Sequence, residues 1–122
     1  MTQQEFEQVL EERLAAIRKT LASKGKEYAI EDNPLHNFEK GAAISGQSRE
    51  RVLWGFALKH EISILDMIDR VDDGFIPTKE RTEEKIGDLI NYLILLEASL
   101  KDRVEESFAA RLQYIAKKNR GM

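Results

Sequence analysis

The chain has 122 residues, of which 34% are charged and 42% hydrophobic, with a formal net charge of -3 and no cysteine. That is enough chain for one core and too little for two, so residues 1–122 are expected to form a single domain. Disulfides and thiolate metal sites are excluded by composition. The interspersed charge offers no basic stripe for a nucleic-acid backbone.

The opening MTQQEFEQVLEERL lacks the basic region and apolar run of a signal peptide. No apolar run approaches the roughly 18 residues of a membrane span. The expectation is a cytoplasmic protein whose partners include neither a membrane nor a nucleic-acid polymer.

Thr2 followed by Glu5 is a capping-box pattern, and Phe6, Val9, Leu10, Leu14, Ile17 and Leu21 recur at helical spacing. A first helix is predicted from Gln3 to Ser23. KGKEYAIEDNPLHNF carries Gly25, Pro34 and an Asn before the Pro, the punctuation of an ordered loop. Asn37 is expected to cap a short helix over FEKGAAIS that Gly46 stops.

Ser48 is a suitable N-cap for a third helix running to Asp73, with Gly74 just past its end. After FIPT, Thr78 or Thr82 caps a fourth, whose apolar positions Ile86, Leu89, Leu93, Leu96, Leu100, Val104, Phe108, Leu112 and Ile115 continue almost to the C-terminus. Unbroken, that helix has roughly 35 to 40 residues and a length of about 55 Å, longer than a globule of this size is wide. It must either bend near SLKDR or meet another chain. The expected fold is all-α, a helical bundle of about four helices with a long C-terminal helix, and a homo-oligomer, because the C-terminal apolar stripe needs a partner.

On the third helix, Leu53, Phe56, Ala57, Ile64, Met67, Ile68 and Val71 form one apolar arc at 100° per residue, and His60 and Glu61 fall within it. A carboxylate there would be desolvated, so it must be paired, protonated or metal-bound. Glu61 is thus a candidate functional group, with a buried salt bridge as the plainer alternative. For His60 the plainer reading is a satisfied core residue.

On the fourth helix Glu84, Asp88, Asn91, Tyr92 and Leu95 share a face opposite the Ile86, Leu89, Leu93, Leu96 stripe. That face is either solvated or, since LILL makes the helix apolar nearly all round, covered. Should Glu61 approach it, Glu61, Glu84 and Asp88 would form an oxygen-rich set suited to Mg²⁺ or Mn²⁺ and to substrate phosphate oxygens. Asp66, Asp69 and Asp73 instead lie with Lys59 on a polar face and read as solvated. In the loop, Lys24 and Lys26 beside a glycine suit a phosphate. Tyr28 and Phe38 suit stacking on a base, or plugging the end of the bundle.

In order, KGKEY, NPLHNF, LKHEISILD and EKIGDLINYLILLEASL resemble the phage and bacterial nucleotide modification associated domain proteins, small helical proteins grouped with the MazG-like all-alpha NTP pyrophosphatases. The resemblance covers about Lys24 to Leu100. It is strongest in GDLINYLILL, which looks like the second MazG-type helix.

It implies one MazG-like domain in which two helices carry carboxylates that hold Mg²⁺ on a nucleoside triphosphate. Water then attacks, releasing pyrophosphate and a monophosphate. Carried over by position, Asp88 matches the final aspartate of the ExxD pair, and Glu61 is the nearest equivalent of a first-helix glutamate. The chain departs from the pattern in having Lys85 three residues before Asp88, with Glu84 four before, and no ExxE around Glu61.

Two readings follow. In the first, the chain is a Mg²⁺- or Mn²⁺-dependent pyrophosphohydrolase of a nucleoside or deoxynucleoside triphosphate. Glu61 and Asp88 are catalytic, and Glu61, Glu84 and Asp88 hold the metal. Lys26 and Lys85 contact phosphates, Tyr28, Asn37 and Tyr92 contact the sugar or base, and His60 and Asn91 belong to the same substrate-binding set. In the second, it is a non-catalytic nucleotide-binding or protein-interaction module of phage origin using the same residues, which the missing ExxE favours.

Overall fold

The computed structural model describes residues 1–28 and 33–121, the side chains of residues 24–28 excepted. Its elements are α1 (Gln3–Tyr28), α2 (His36–Ser45), α3 (Arg49–Asp72) and α4 (Lys79–Arg120), giving the expected all-α bundle of four helices. α3 and α4 form an antiparallel hairpin through the short link at residues 73–78. α2 packs on α3, and α1 lies along the N-terminal part of α4.

The helix starts follow from side-chain oxygens that accept otherwise orphaned backbone N–H groups. At Thr2 the capping box forms in both directions, the Thr2 N donating to Glu5 Oε2 at 2.7 Å and the Glu5 N to Thr2 Oγ1 at 3.1 Å. Ser48 Oγ accepts from Arg51 N at 3.1 Å, and Thr78 Oγ1 from Arg81 N at 3.1 Å. Gly46 ends α2 at φ 71° and Gly74 follows α3 at φ 91°, left-handed positions where a side chain would be strained.

Two boundaries differ from the expectation. α1 runs through KGKEY to Tyr28 rather than ending at Ser23. A lone glycine costs a helix only about 1 kcal/mol relative to alanine, and the other residues there are compatible with continuation. Asn37 lies inside α2 and is not its cap, because the preceding turn is organised by Asn33. The Asn33 Oδ1 accepts from Leu35 N at 3.0 Å, its Nδ2 donates to Glu39 Oε2 at 2.9 Å, and its backbone oxygen accepts from His36 N at 3.2 Å.

The tightest packing is on the α3–α4 seam, where Leu53 and Ala57 are almost wholly buried beside the buried pair Arg49 and Ser99. Arg49 reaches across the seam, its Nε donating to Ser99 Oγ at 2.6 Å and its Nη2 to the Ser99 carbonyl at 2.9 Å. Glu39 Oε1 at 3.1 Å and Asp102 Oδ2 at 3.2 Å balance its charge from the solvent side. One guanidinium thereby joins α2, α3 and α4.

One turn on, Arg103 Nε donates to Glu50 Oε1 at 2.6 Å, and that bond holds the Glu50 carboxyl below its usual range. A carboxylate depressed in the folded state stabilises the fold above its unfolded value, about pH 4.3, and loses that contribution as pH falls through the folded value. Urea midpoints followed downward from neutral pH should therefore decline below about pH 4.3. Glu50→Gln should flatten that decline while lowering the midpoint modestly at pH 7, modestly because Arg103 is half exposed. An unchanged acid limb in Glu50→Gln would count against this pair.

α4 runs as one helix through Ser99–Arg103, its 42 residues spanning about 63 Å at 1.5 Å per residue. The helix is unbroken at SLKDR. No helix of the described residues is long and apolar enough to cross a membrane.

Candidate functional site

α3 meets α4 through a stripe in which Leu53, Ala57, His60, Ile64 and Met67 follow one another by three or four residues, each buried or half-buried. The same step on α4 brings Asp88, Asn91, Tyr92 and Leu95 to a cleft that α2 closes from the side with Asn37, Phe38 and Gly41. The cleft has a volume of about 700 Å³.

Its wall is aromatic. The Tyr92 ring stacks on Phe56, with centroids 5.7 Å apart and planes at 7°, and on the His60 imidazole at 5.1 Å and 19°. Phe38 meets Phe56 and Tyr92 edge-on at 6.2 Å and 6.4 Å. These are the offset and T-shaped arrangements favoured by ring quadrupoles. Phe56 remains nearly half exposed, so ring surface is left for a flat ligand.

The polar groups sit at one end. His60 Nδ1 lies 3.8 Å from Asp88 Oδ2, an ion pair when the imidazole is protonated. Asn91 Oδ1 is buried and has no hydrogen-bond partner among the described residues. A buried acceptor left unmade costs about 1–3 kcal/mol, and a rotation of the Asn91 side chain toward the cleft that the residue lines would let a ligand donor recover it.

A second groove of about 800 Å³ runs between α1 and the start of α4, and Thr20, Asp88 and Asn91 border both spaces. Across it Arg13 Nη2 donates to the Glu83 carbonyl at 3.0 Å. The guanidinium lies over Gly87, where an added Cβ would come within 2.5 Å of Arg13 Nη1. A side chain at Gly87 would displace the end of the flexible Arg13 side chain rather than meet backbone. The groove is acidic, with Glu12, Glu80, Glu83, Glu84 and Asp88 against Arg13 and Lys79.

Of the residues singled out from sequence, Asn37, His60, Asp88, Asn91 and Tyr92 line one cleft. Glu84 lies one turn from Asp88 on the neighbouring groove. Lys85 is half-buried on α4 and lines neither space. Lys26 and Tyr28 fall in the last turn of α1, and their side chains are outside the described residues.

Glu61 is not desolvated. It is exposed and borders neither space, because at 100° per residue it points about 80° from Leu53 at the centre of the contact face. Its neighbour His60 takes the position facing Asp88. Among the described residues no three His, Asp or Glu side chains gather as metal donors, so Glu61, Glu84 and Asp88 do not form the donor set expected for Mg²⁺ or Mn²⁺.

Two contributors escaped the sequence reading, Phe56 because it counts equally as a core residue on the apolar arc, and Arg49 because nothing local marks it. Comparison with protein-family models, curated proteins and solved structures finds no match to this chain.

Proposed function

We propose that the chain is a nucleotide-binding module that takes the base of its ligand in the α2–α3–α4 cleft. The observation that carries this is the buried, unpartnered Asn91 Oδ1 at the polar end of a ring-lined cleft. A heteroaromatic base supplies both a π-face for Phe56 and Tyr92 and an N–H donor for Asn91. Stacking of a base on an aromatic side chain contributes about 1–3 kcal/mol. The resemblance of GDLINYLILL to nucleotide-handling helices supports the same ligand class.

The acidic groove beyond Asp88 disfavours a bare polyphosphate, so the base rather than the phosphates supplies the affinity. The pyrophosphohydrolase reading shares the cleft and differs in needing carboxylates around the phosphates. Glu84 and Asp88, one turn apart on α4, are the pair the fold brings to the adjoining groove.

Calorimetric titration with a panel of nucleosides and their mono- and triphosphates, with Mg²⁺ or with chelator, separates these readings when products are followed by chromatography. The binding module predicts that a nucleoside binds comparably to its triphosphate in chelator, without turnover. It predicts that Phe56→Ala lowers the affinity by roughly five- to a hundredfold, the stacking contribution expressed as a ratio. Pyrophosphate release that requires the metal and is lost in Asp88→Asn would establish the hydrolase instead. Absence of binding by every member of the panel would overturn both and leave a protein-interaction role.

A further inference from the structure

The chain exposes 9837 Å² of accessible surface, whereas mass scaling for a 14.0 kDa monomer gives about 6,700 Å². The excess, about 3,000 Å², is several times the roughly 800 Å² that each partner contributes to a standard interface. The C-terminal half of α4 contributes to it. Arg103, bonded to Glu50, ties α4 to α3, and every described side chain beyond it except Ala116 is exposed. That leaves about 25 Å of helix projecting from the bundle.

This projection is not a solvated helix in composition. Leu100, Val104, Phe108, Leu112 and Ile115 are each between 47% and 66% exposed. At 100° per residue they fall within an arc of about 120°. Isolated helices of this length are marginal in water, and packing of an amphipathic face supplies most helical stability, so the stripe requires cover.

Charge along the segment identifies the cover. Glu97, Asp102, Glu105 and Glu106 lie in or just before its first part, where Lys101 pairs with Glu97, Arg49 with Asp102, and Arg103 with both Glu50 and Glu106; with four acidic residues against Lys101 and Arg103 the stretch still keeps a net negative charge. From Ser107 to Gly121 there are Arg111, Lys117, Lys118 and Arg120, and no acidic residue. A parallel pairing of two copies would set the four cations of one beside the four of the other. An antiparallel pairing lays the basic end along the acidic stretch, so the segment is complementary to itself. We infer that the C-terminal half of α4 pairs antiparallel with the same segment of a second copy, about a two-fold axis near Phe108, at the midpoint of the apolar stripe.

The chain has no cysteine, so one introduced at Asn119 carries a spin label cleanly. In the full-length protein, sedimentation should show a species of at least twice 14.0 kDa. Pulsed electron resonance should place the two Asn119 labels about 33 Å apart along the helix direction, eleven residues on either side of the axis. Labels at Ala109→Cys should lie close together. Phe108→Glu, at a site remote from the bundle, should return the mass to that of a single chain while the bundle's share of the helical circular dichroism is retained. A single-chain mass for the unaltered protein, Asn119 labels in close proximity, or a Phe108→Glu mass equal to the unaltered one would each overturn the inference.

Discussion

Arg49→Ala is expected to destabilise the fold by about 3 kcal/mol. The guanidinium is 4% exposed and its two bonds to Ser99 lie in the seam, where Ser99 is fully buried. Truncation leaves a large side-chain void and removes hydrogen bonds from a charged donor, each worth about 1.5–3 kcal/mol. Glu39 and Asp102 are nearly half exposed, so their freed carboxylates return to water and add little.

Two controls separate these contributions. Arg49→Met keeps the volume and loses the donors, so it should recover part of the loss. Arg49→Lys keeps the charge without the planar fork and should fall between the two. Urea unfolding with a common slope measures all three. Equal stability of Arg49→Ala and the unaltered chain would show that the seam does not depend on this residue.

Asn91→Ala is expected to move stability and binding in opposite directions. In the free protein its Oδ1 is buried and unpartnered, and asparagine is a weaker helix former than alanine. Removing both penalties should stabilise the chain by about 1–2 kcal/mol. Ligand affinity should fall about tenfold or more, because the ligand donor loses its acceptor. A residue kept only for packing would lower stability and leave affinity alone, so the sign of the stability change distinguishes the two roles. Such an exchange of stability for function is the usual mark of a site held ready for a ligand.

The caps explain why much of the fold was legible in the sequence. Thr2, Ser48 and Thr78 act through their own backbone neighbours, and Gly46 and Gly74 through their own φ, so a local reading suffices for them. The shared face of Asp88, Asn91, Tyr92 and Leu95 was legible for the same reason, since helical spacing alone puts them together.

What could not be read depends on how one helix is rotated against another. His60 and Glu61 are adjacent in sequence, and the rotation of α3 brings the imidazole to Asp88 and leaves the carboxylate in water. The bond from Arg13 to the Glu83 carbonyl and that from Arg49 to Ser99 need the relative placement of helices whose contacting residues are 70 and 50 positions apart. Asn37 was misread because Asn33, three residues before the start of α2, competes for the same capping role and has the turn geometry to fill it.

Whether the aromatic cleft receives a base is decided by amide-resolved nuclear magnetic resonance of the ¹⁵N-labelled chain titrated with the nucleoside panel. The side-chain amide of Asn91 reports directly, and ring-current shifts report Phe56, His60 and Tyr92. Saturable shifts are expected, centred on those four residues and on Asn37 of α2, with the Asn91 amide among the largest. A titration that leaves the Asn91 amide unmoved, or whose shifts map to the exposed end of α4, would contradict binding of a base in the cleft.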